Sequence, residues 1–369
     1  MKKLLFAAYS LEVGGIEKAL VTLLNKLQEK GYEITLVLEK KEGIFLEEVN
    51  PQISIITYIP NNNKNVIKRI FINLIKQLEF FIKYKNKFDF SASFATYSNS
   101  GAFVARTASK NSCLWGHADY LTLFKNNIDE MKKFFKEKKY NKFKNIIFVS
   151  KEGKDTFISV FPDAKNKTEV CNNIINNQQI IELANKKIEE LSNEKIEIEK
   201  DEITTILNVG RHDEKEKKLS RIIEVAEKLK QENYKFRILF VGDGKDSNKY
   251  KEMVQKKKLE EQIIFLGRKQ NPYPYFKISD CVLLTSDYEG YPVVFLESMI
   301  LNKPIITTKV SDYEEIEGKY GYTTKKEVED IYEKIKLFIE NGFKINETFD
   351  AEKYNKEIME KLEKLFWKE

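Results

Sequence analysis

Short apolar runs alternate with amphipathic stretches along the first half of the chain. The clearest helical pattern covers residues 16–30, where the apolar positions on one face are Ile16, Leu20, Leu23, Leu24 and Leu27. The predicted strands of this half are residues 3–9, 34–38, 53–56, 88–94, 112–115 and 146–149. Because strands separated by helices pair in parallel through right-handed crossovers, we expect a doubly wound α/β domain here.

The alternation resumes after a charged segment at residues 185–202, where we place the connection between two domains. Predicted strands follow at 205–209, 236–241, 263–266, 281–285 and 304–307, and predicted helices at 219–230, 249–258 and from about Val293. We therefore predict a first domain (1–185), a second doubly wound domain (186–350) and a C-terminal helical segment (351–369). Two such domains side by side would leave a cleft at the carboxyl ends of their strands, where sheets of this kind bind ligands.

The composition excludes a disordered chain and a membrane-spanning one. With 25 Phe and 18 Tyr in 369 residues, the aromatic side chains require a core. No run approaches the ~18–20 apolar residues of a membrane span. The apolar start breaks at Ser10 and Glu12, so we interpret it as a strand and not as a signal peptide. Three widely spaced cysteines without metal-binding spacing are typical of a reduced cytosolic protein.

The basic charge is concentrated in the first half. Residues 1–185 contain 28 Lys and Arg against 19 Asp and Glu, whereas the remainder contains 35 against 38. This excess favours an anionic partner, either a membrane surface or a phosphate-bearing acceptor, and no motif for reading nucleic acid is present. Residues 64–87 interleave Lys and Arg with Ile, Leu and Phe at helical spacing. This pattern fits either a basic amphipathic helix on an anionic membrane or an ordinary helix packed on the sheet.

The most informative pattern lies between a predicted strand and a predicted helix, at residues 285–297. Gly290 gives the backbone freedom there, and Pro292 suits the first position of a helix. Backbone amides at a helix start can hold a phosphate or a diphosphate. The candidate binding residues of this turn are Gly290, Tyr291, Pro292 and Val293.

Glu289 and Glu297 flank this turn. If the whole segment were helical, they would lie roughly 12 Å apart at ~1.5 Å per residue. That is too far for a double-displacement pair, whose carboxyl groups are ~5–5.5 Å apart. The spacing suits two carboxylates that bind hydroxyl groups at opposite ends of a nucleotide sugar, with the diphosphate between them. The alternative is a capping acid followed by a helix-surface glutamate.

A second loop between a strand and a helix contains Arg211 and Lys217. A guanidinium group can bind two phosphate oxygens at once, and an ammonium group adds a point charge beside it. Lys215 and Lys218 are alternatives for the role of Lys217. Any lysine of this charged run can equally lie on a solvated surface.

Gly15 and His117 are the candidates in the first half. Gly15 belongs to a Gly-Gly pair after the first strand, where a ligand can approach the backbone closely. The G-x-G-x-x-G fingerprint is absent, also from residues 241–244, which argues against a Rossmann dehydrogenase. His117 follows a predicted strand and can bind a sugar hydroxyl or a phosphate, or be a packed loop histidine. We interpret His212 as structural.

The order of these motifs resembles glycosyltransferase family four, a family of retaining enzymes. The stretch from Glu289 to Glu297 resembles its E-x7-E motif, and Arg211 with Lys217 looks like its diphosphate-binding pair. Other similar segments are residues 14–17, 148–150, 241–244, 265–267 and 303–304. One departure is that the family commonly has Lys-Gly at a shorter distance from the arginine, whereas Lys218 follows Lys217 here.

The resemblance implies a GT-B fold, in which two Rossmann-like domains face a central cleft and the terminal helix returns to the first domain. The second domain would hold the nucleotide sugar and the first domain the acceptor. The resemblance also implies transfer with retention of configuration, without a metal or other cofactor. No protein nucleophile is implied, because the leaving phosphate takes the acceptor proton.

Roles for individual residues follow from the same resemblance. Glu289 would contact hydroxyls of the transferred sugar and Glu297 the ribose. Arg211 and Lys217 would neutralise the diphosphate, where negative charge grows in the transition state. Two further matches are His117, which resembles the cleft histidine of the family, and Arg268, which lies where its base-binding loop lies.

We thus expect a cytoplasmic hexosyltransferase. Residues 64–87 would provide any peripheral contact with the inner face of the plasma membrane. Its donor would be a nucleotide sugar, with UDP favoured by the family. Its acceptor would be a lipid-linked glycan of capsule, lipopolysaccharide or exopolysaccharide synthesis. The alternatives are a soluble protein or glucan acceptor, or a non-catalytic protein that binds sugar nucleotides.

Overall fold

The structure is a computed structural model that describes residues 2–12, 14–186 and 203–367. The chain divides into two compact units, Met1–Ile175 with Glu352–Glu369 and Asn176–Ala351. Each unit contains one parallel sheet with interleaved helices, so the prediction of two Rossmann-like domains is confirmed.

The first unit contains a seven-stranded sheet. Its strands are β1 (Lys3–Ala8), β2 (Glu33–Leu38), β3 (Ser54–Thr57), β4 (Phe90–Ser93), β5 (Ser112–Gly116), β6 (Asn145–Phe148) and β7 (Thr168–Val170), in the order β3-β2-β1-β4-β5-β6-β7. Its helices before the second unit are α1 (Gly15–Glu29), α2 (Val66–Tyr84), α3 (Asn99–Ala108), α4 (Tyr120–Leu123), α5 (Ile128–Glu137) and α6 (Lys151–Val160). The strand order reverses between β1 and β4, which is the switch point of this sheet.

The second unit contains a six-stranded sheet. Its strands are β8 (Thr204–Val209), β9 (Phe236–Val241), β10 (Ile263–Gly267), β11 (Cys281–Leu284), β12 (Ile305–Thr308) and β13 (Gly321–Thr324), in the order β10-β9-β8-β11-β12-β13. Its helices are α7 (Asn177–Ala184), α8 (Leu219–Gln231), α9 (Ser247–Lys256), α10 (Tyr273–Ile278), α11 (Val293–Ile300) and α12 (Val328–Asn341). The switch point lies between β8 and β11.

The last helix, α13 (Ala351–Phe366), packs in the first unit. The Asn111 side-chain amide donates to the Leu365 carbonyl at 2.7 Å, and the Phe366 ring lies 4.7 Å from the Phe90 ring. The boundary predicted after residue 185 differs from the division of the structure, because α7 contacts α10 and α11 and groups with the second unit. Most of the predicted connection, residues 187–202, lies outside the described residues.

Helix α8 buries the apolar face that its periodicity predicts. In α8, the buried positions are Leu219, Ile222, Ile223, Val225, Ala226 and Leu229, and they belong to the core that also holds β8 and β9 residues. The strands β7 (Thr-Glu-Val) and β13 (Gly-Tyr-Thr-Thr) were not predicted, since neither contains an apolar run. Among the helices of the described residues, none is long and apolar enough to cross a membrane.

Candidate functional site

The loops that follow β8 and β11 are bonded together at the switch point of the second sheet. The Asp287 amide donates to the Glu216 carbonyl at 2.8 Å, and the Thr285 hydroxyl donates to the Lys217 carbonyl at 3.1 Å. From α8, Arg221 donates to the Thr285 carbonyl at 2.8 Å and pairs with the Asp287 carboxylate at 2.7 Å. The two loops that were predicted to bind the donor therefore hold each other in place.

Four charged side chains of these loops form a continuous series of contacts, which we call the ion-pair chain. Arg211 Nη2 lies 2.7 Å from Glu216 Oε2, and Lys217 Nζ lies 3.1 Å from Glu216 Oε1. Lys217 Nζ also lies 2.6 Å from Glu289 Oε1. The structure thus brings together Arg211, Lys217 and Glu289, which the sequence analysis selected, and adds Glu216, which it did not.

The electrostatics of the ion-pair chain keep Lys217 charged. Burial lowers the pKa of its ammonium group, but the nearby carboxylates of Glu289 and Glu216 outweigh burial and leave the pKa raised above its ordinary value. The side chain is 21% exposed, so a ligand can still reach it.

Three lysines compete in sequence for the diphosphate-binding role, and their positions differ. Lys215 is exposed, and Lys218 Nζ lies 3.8 Å from the Asp287 carboxylate. Only Lys217 of these three contacts Glu289 in the described residues. The geometry therefore favours Lys217 over its two neighbours.

The carboxylate of Glu289 is buried, with 8% of the residue exposed. The Ser286 hydroxyl donates to its Oε1 at 2.7 Å, and Lys217 contacts the same oxygen. Within the described part of the chain, both recorded partners thus use one oxygen. A hydroxyl group that donates to Oε2 can bind Glu289 without displacing either partner.

The turn after Glu289 is held by the loop that follows β12. The Ser311 hydroxyl donates to the Gly290 carbonyl, and the Tyr291 hydroxyl donates to Glu315 at 2.6 Å. Helix α11 begins at Val293 as predicted, but Pro292 occupies the N-cap position and not the first helical position. Backbone amides at the start of α11 point away from the helix by its geometry, which suits an anion.

Glu297 lies inside α11 and is 5% exposed. The Tyr273 hydroxyl donates to its Oε1 at 3.0 Å, so Glu297 contacts α10 and not the ion-pair chain. The segment from Glu289 is not helical throughout, so the separation calculated for a continuous helix does not apply. The alternative of a capping acid and a surface glutamate is wrong, because Pro292 is the cap and Glu297 is buried.

Arg268 follows the edge strand β10 and is not part of the ion-pair chain. Its side chain is 63% exposed, and its Nε lies 4.0 Å from the Asp243 carboxylate. The segment 241–244 that precedes α9 has a structural reason for its glycines. Gly242 has a φ of +144°, and a Cβ there would lie 1.9 Å from the Gly210 carbonyl oxygen. Glycine at this position lets the loops after β8 and β9 approach each other.

In the first unit, Gly15 is the first residue of α1, and Gly14 is its extended N-cap. The Glu17 side chain lies over this helix start, since a Cβ at Gly14 would come within 2.1 Å of Glu17 Oε2. The Tyr97 hydroxyl donates to Glu17 at 3.3 Å, and the Tyr97 ring lies 6.1 Å from that of Tyr9. Sequence reasoning selected the segment 14–17 for its glycine pair, but it gave no role to Glu17 and missed the aromatic pair beside it.

His117 directly follows β5 in the same unit. Its ring lies 4.5 Å from that of Phe94 and stacks at 6.5 Å on that of Trp115. Burial lowers its pKa to about 3, although a hydrogen bond with the Phe94 backbone acts in the opposite direction. Its Nε2 is buried and has no hydrogen-bond partner among the described residues. The imidazole is therefore neutral at pH 7.

Glu216, Ser286 and Tyr273 could not have been found by spacing. Glu216 stands in a run of alternating charges, and the other two act through single hydroxyl groups on different elements. In the described residues, no group of three or more His, Cys, Asp or Glu side chains could hold a metal ion.

Two family models match consecutive parts of the chain. Residues 13–179 match Glycosyltransferase Family 4, and residues 187–357 match Glycosyl transferases group 1. The N-acetylgalactosamine-N,N'-diacetylbacillosaminyl-diphospho-undecaprenol 4-alpha-N-acetylgalactosaminyltransferase of Campylobacter jejuni is 26% identical over 320 residues, which cover 84% of this chain and 81% of that protein. An uncharacterized glycosyltransferase of Methanocaldococcus jannaschii is 29% identical over 205 residues, which cover 51% of this chain and only about half (49%) of that relative.

Solved structures share the fold over the whole length of the chain. Anabaena HepE in complex with UDP and glucose superposes with a TM-score of 0.77 at 17% identity, covering 98% of this chain and 100% of that chain. The apo form of the lipopolysaccharide outer core galactosyltransferase WaaB has a TM-score of 0.66 at 15% identity, covering 99% and 97%. These likenesses confirm the GT-B fold class. The chain therefore belongs to the glycosyltransferases of family 4, and its second unit carries their group 1 domain.

Proposed function

We propose that this glycosyltransferase is a retaining, metal-independent enzyme that moves a hexose from a nucleotide sugar to a lipid-linked glycan during bacterial surface-polysaccharide synthesis. UDP is the favoured nucleotide. The ion-pair chain carries the proposal, because it connects two cations and a buried carboxylate in one series of contacts at a sheet switch point. The names of the relatives support it, since the Campylobacter jejuni protein acts on a diphospho-undecaprenol-linked sugar and HepE binds UDP and glucose.

In this proposal the donor diphosphate replaces carboxylates as the partner of Arg211 and Lys217. The bond between the anomeric carbon and the phosphate oxygen breaks, and the electron pair moves to the leaving diphosphate. The two cations stabilise the charge that grows there, and amides at the start of α11 assist. The acceptor hydroxyl bonds to the anomeric carbon on the same face, and its proton passes to the leaving phosphate oxygen. The configuration is thereby retained.

The remaining candidates bind the two ends of the donor and the acceptor. Glu289 accepts hydrogen bonds from hydroxyls of the transferred sugar, and Glu297, oriented by Tyr273, accepts them from the ribose. Arg268 contacts the base. His117 acts as a neutral hydrogen-bonding group toward a sugar hydroxyl, since burial opposes its charge.

A two-stage experiment tests this function on the full chain. Thermal shift with UDP, GDP, ADP and CMP, each with magnesium and with EDTA, identifies the nucleotide, because a ligand of the native state raises the melting temperature. The corresponding nucleotide sugars are then incubated with a polyprenyl-diphosphate-linked sugar, and NMR of the product gives the anomeric configuration. An α-linked product from an α-linked donor in EDTA is expected. A β-linked product would overturn the retaining mechanism, and the absence of any nucleotide shift would favour a non-catalytic protein.

The acceptor assignment has its own control in the same assay. A soluble glucan and an unmodified protein replace the lipid-linked sugar at equal donor concentration. Transfer to either soluble acceptor at the lipid-linked rate would contradict the lipid-linked assignment while leaving the glycosyltransferase activity established.

A further inference from the structure

Helix α2 has nineteen residues, and two of its polar side chains contact the loop that precedes it. The Asn61 amide donates to the Asn73 side-chain oxygen at 2.7 Å, and the Asn73 amide donates back to the Asn61 carbonyl at 3.1 Å. The Lys76 ammonium donates to the Ile59 carbonyl at 2.8 Å. Phe80 is the single buried residue of the helix. These contacts define the inward face of α2.

The opposite face is apolar and exposed. Its large side chains recur with each helical turn, singly or as adjacent pairs, and they are Val66, Ile67, Ile70, Phe71, Leu74, Ile75, Leu78, Phe81 and Ile82. Ile67 is 79% exposed and Phe71 is 64% exposed. Nine of the sixteen exposed large hydrophobic residues in the described chain lie on this one helix. Folded chains rarely leave so large a contiguous apolar surface without a partner.

The charges around α2 indicate the sign of that partner. Residues 64–87 contain seven cations against one carboxylate, Glu79, and the cations are Lys64, Lys68, Arg69, Lys76, Lys83, Lys85 and Lys87. The segment thus carries +6, as much as the whole chain. A second copy of this chain would bring two such segments together, and their like charges would repel. An anionic lipid surface satisfies both the apolar face and the cations.

We propose that α2 docks this protein on anionic bilayers, with its apolar face between the acyl chains. The cations of residues 64–87 other than Lys76, which is bonded to the Ile59 carbonyl, would lie on headgroup phosphates. This inference rests on the proposed function in one respect, because the proposed lipid-linked acceptor would lie in the same bilayer. The docking surface itself is argued from the orientation of α2, so the two proposals can fail separately.

The first experiment measures binding of the full chain to two kinds of vesicle. One contains phosphatidylcholine with ~30% phosphatidylglycerol, which gives a strongly anionic surface, and the other contains phosphatidylcholine alone. The test variant is Phe71→Ser/Leu78→Ser, and the matched control is Ile181→Ser/Ile203→Ser, which removes two exposed isoleucines outside α2. We expect the affinity for anionic vesicles to fall at least ~10-fold in the test variant, since each side chain loses apolar burial. The control is expected to bind like the wild type.

A second measurement keeps the face apolar and reports its depth. In Leu74→Trp, the new indole should shift its emission to the blue on addition of anionic vesicles and be quenched by brominated acyl chains. Equal binding to both vesicle types, equal binding by the α2 variant, or an unchanged Leu74→Trp spectrum would each overturn the proposal. A wild-type dimer that the Phe71→Ser/Leu78→Ser change converts to a monomer would assign the face to a second copy instead.

Nucleotide binding separates this proposal from the proposed function. The α2 variant should keep the full thermal shift with UDP, because α2 contributes nothing to the ion-pair chain. Loss of vesicle binding with an intact UDP shift supports docking. If the full chain binds vesicles but no nucleotide raises its melting temperature, the docking proposal holds and the proposed function is contradicted.

Discussion

The Lys217 ammonium and the Glu289 carboxylate are 2.6 Å apart, although 72 positions separate them in sequence. Their contact joins the loop after β8 to the loop after β11. Each group neutralises the other in the absence of a ligand. In the proposed function, a nucleotide sugar offers Lys217 a phosphate and Glu289 a hydroxyl group, so the two members of the pair bind different parts of one ligand.

Glu289→Gln should lower kcat at least ~100-fold, in the range found when a preorganised electrostatic group is removed. Glutamine preserves the volume but loses the charge that orients Lys217 and accepts strong hydrogen bonds. The measurement is product formation at saturating donor. The control is Glu260→Gln, an exposed glutamate between α9 and β10 that lies outside the ion-pair chain. Near-wild-type turnover in the Glu289 variant would show that this carboxylate does not act in the reaction.

Lys217→Met should weaken UDP binding by ~10–100-fold, because the diphosphate loses a partly buried cation. Lys215→Met removes the same charge from the same loop, but its side chain is exposed and lies outside the ion-pair chain. Isothermal titration with UDP compares the two variants. Equal losses in both would mean that the lysines act through net charge alone, against the assignment of Lys217.

Glu216→Gln should tighten UDP binding several-fold. The Glu216 carboxylate contacts Arg211 at 2.7 Å and Lys217 at 3.1 Å, so a diphosphate must compete with it for both cations. The same titration at two salt concentrations measures the effect, which should shrink at high salt because the competition is electrostatic. Weaker binding in this variant would instead identify Glu216 as the residue that positions Arg211.

We expect the buried His117 to lower the free energy of unfolding in acid. Burial depresses its pKa to about 3, below the ordinary 6.5, so between these values the unfolded chain binds a proton that the folded chain does not. The protein therefore has its full stability with respect to this group above pH 6.5 and loses stability progressively as the pH falls toward 3. Between pH 7 and pH 5 the unfolding free energy should fall by about 2 kcal/mol more in the wild type than in His117→Asn. Urea unfolding at both pH values measures this, and an equal decline would contradict it.

Gly242→Ala should destabilise the second unit by more than about 2 kcal/mol, since its Cβ would collide with the Gly210 carbonyl at a φ of +144°. Gly267→Ala also has a positive φ (+68°) but meets open space, so about 1 kcal/mol is expected. Thermal unfolding of the two variants compares them. Equal melting temperatures would contradict the requirement for close approach of the two loops.

Most of the fold could be predicted because its elements have strong periodicity. The strands β8 and β9 were placed to within one residue, since each is a continuous apolar run between polar turns. The strands β7 and β13 could not be predicted, because each consists mainly of small or polar residues and lacks the apolar run that identified β3. Helix α7 was assigned to the first domain, whereas it groups with the second unit through its packing on α10 and α11. Sequence periodicity does not show which elements a helix packs against.

The candidate site was predicted as far as motif spacing reaches. Arg211, Lys217 and Glu289 were chosen as loop residues after strands, and parallel strands bring such loops to one edge. The contacts of Glu216 and Tyr273 depend on side-chain directions that spacing does not specify. The exposure of the apolar face of α2 also could not be predicted, since periodicity identifies a face but not the side on which the protein lies.

The position of α13 has a consequence for the order in which the protein can fold. The Phe90 side chain in β4 is completely buried, and Phe366 supplies part of its cover. A ribosome that has synthesised residues 1–175 has therefore not yet produced all of the first unit. That unit must wait for some 180 further residues, while the second unit is complete in a single uninterrupted stretch. We therefore expect the second unit to fold from its own segment, and the unit that begins the chain to be the last one finished.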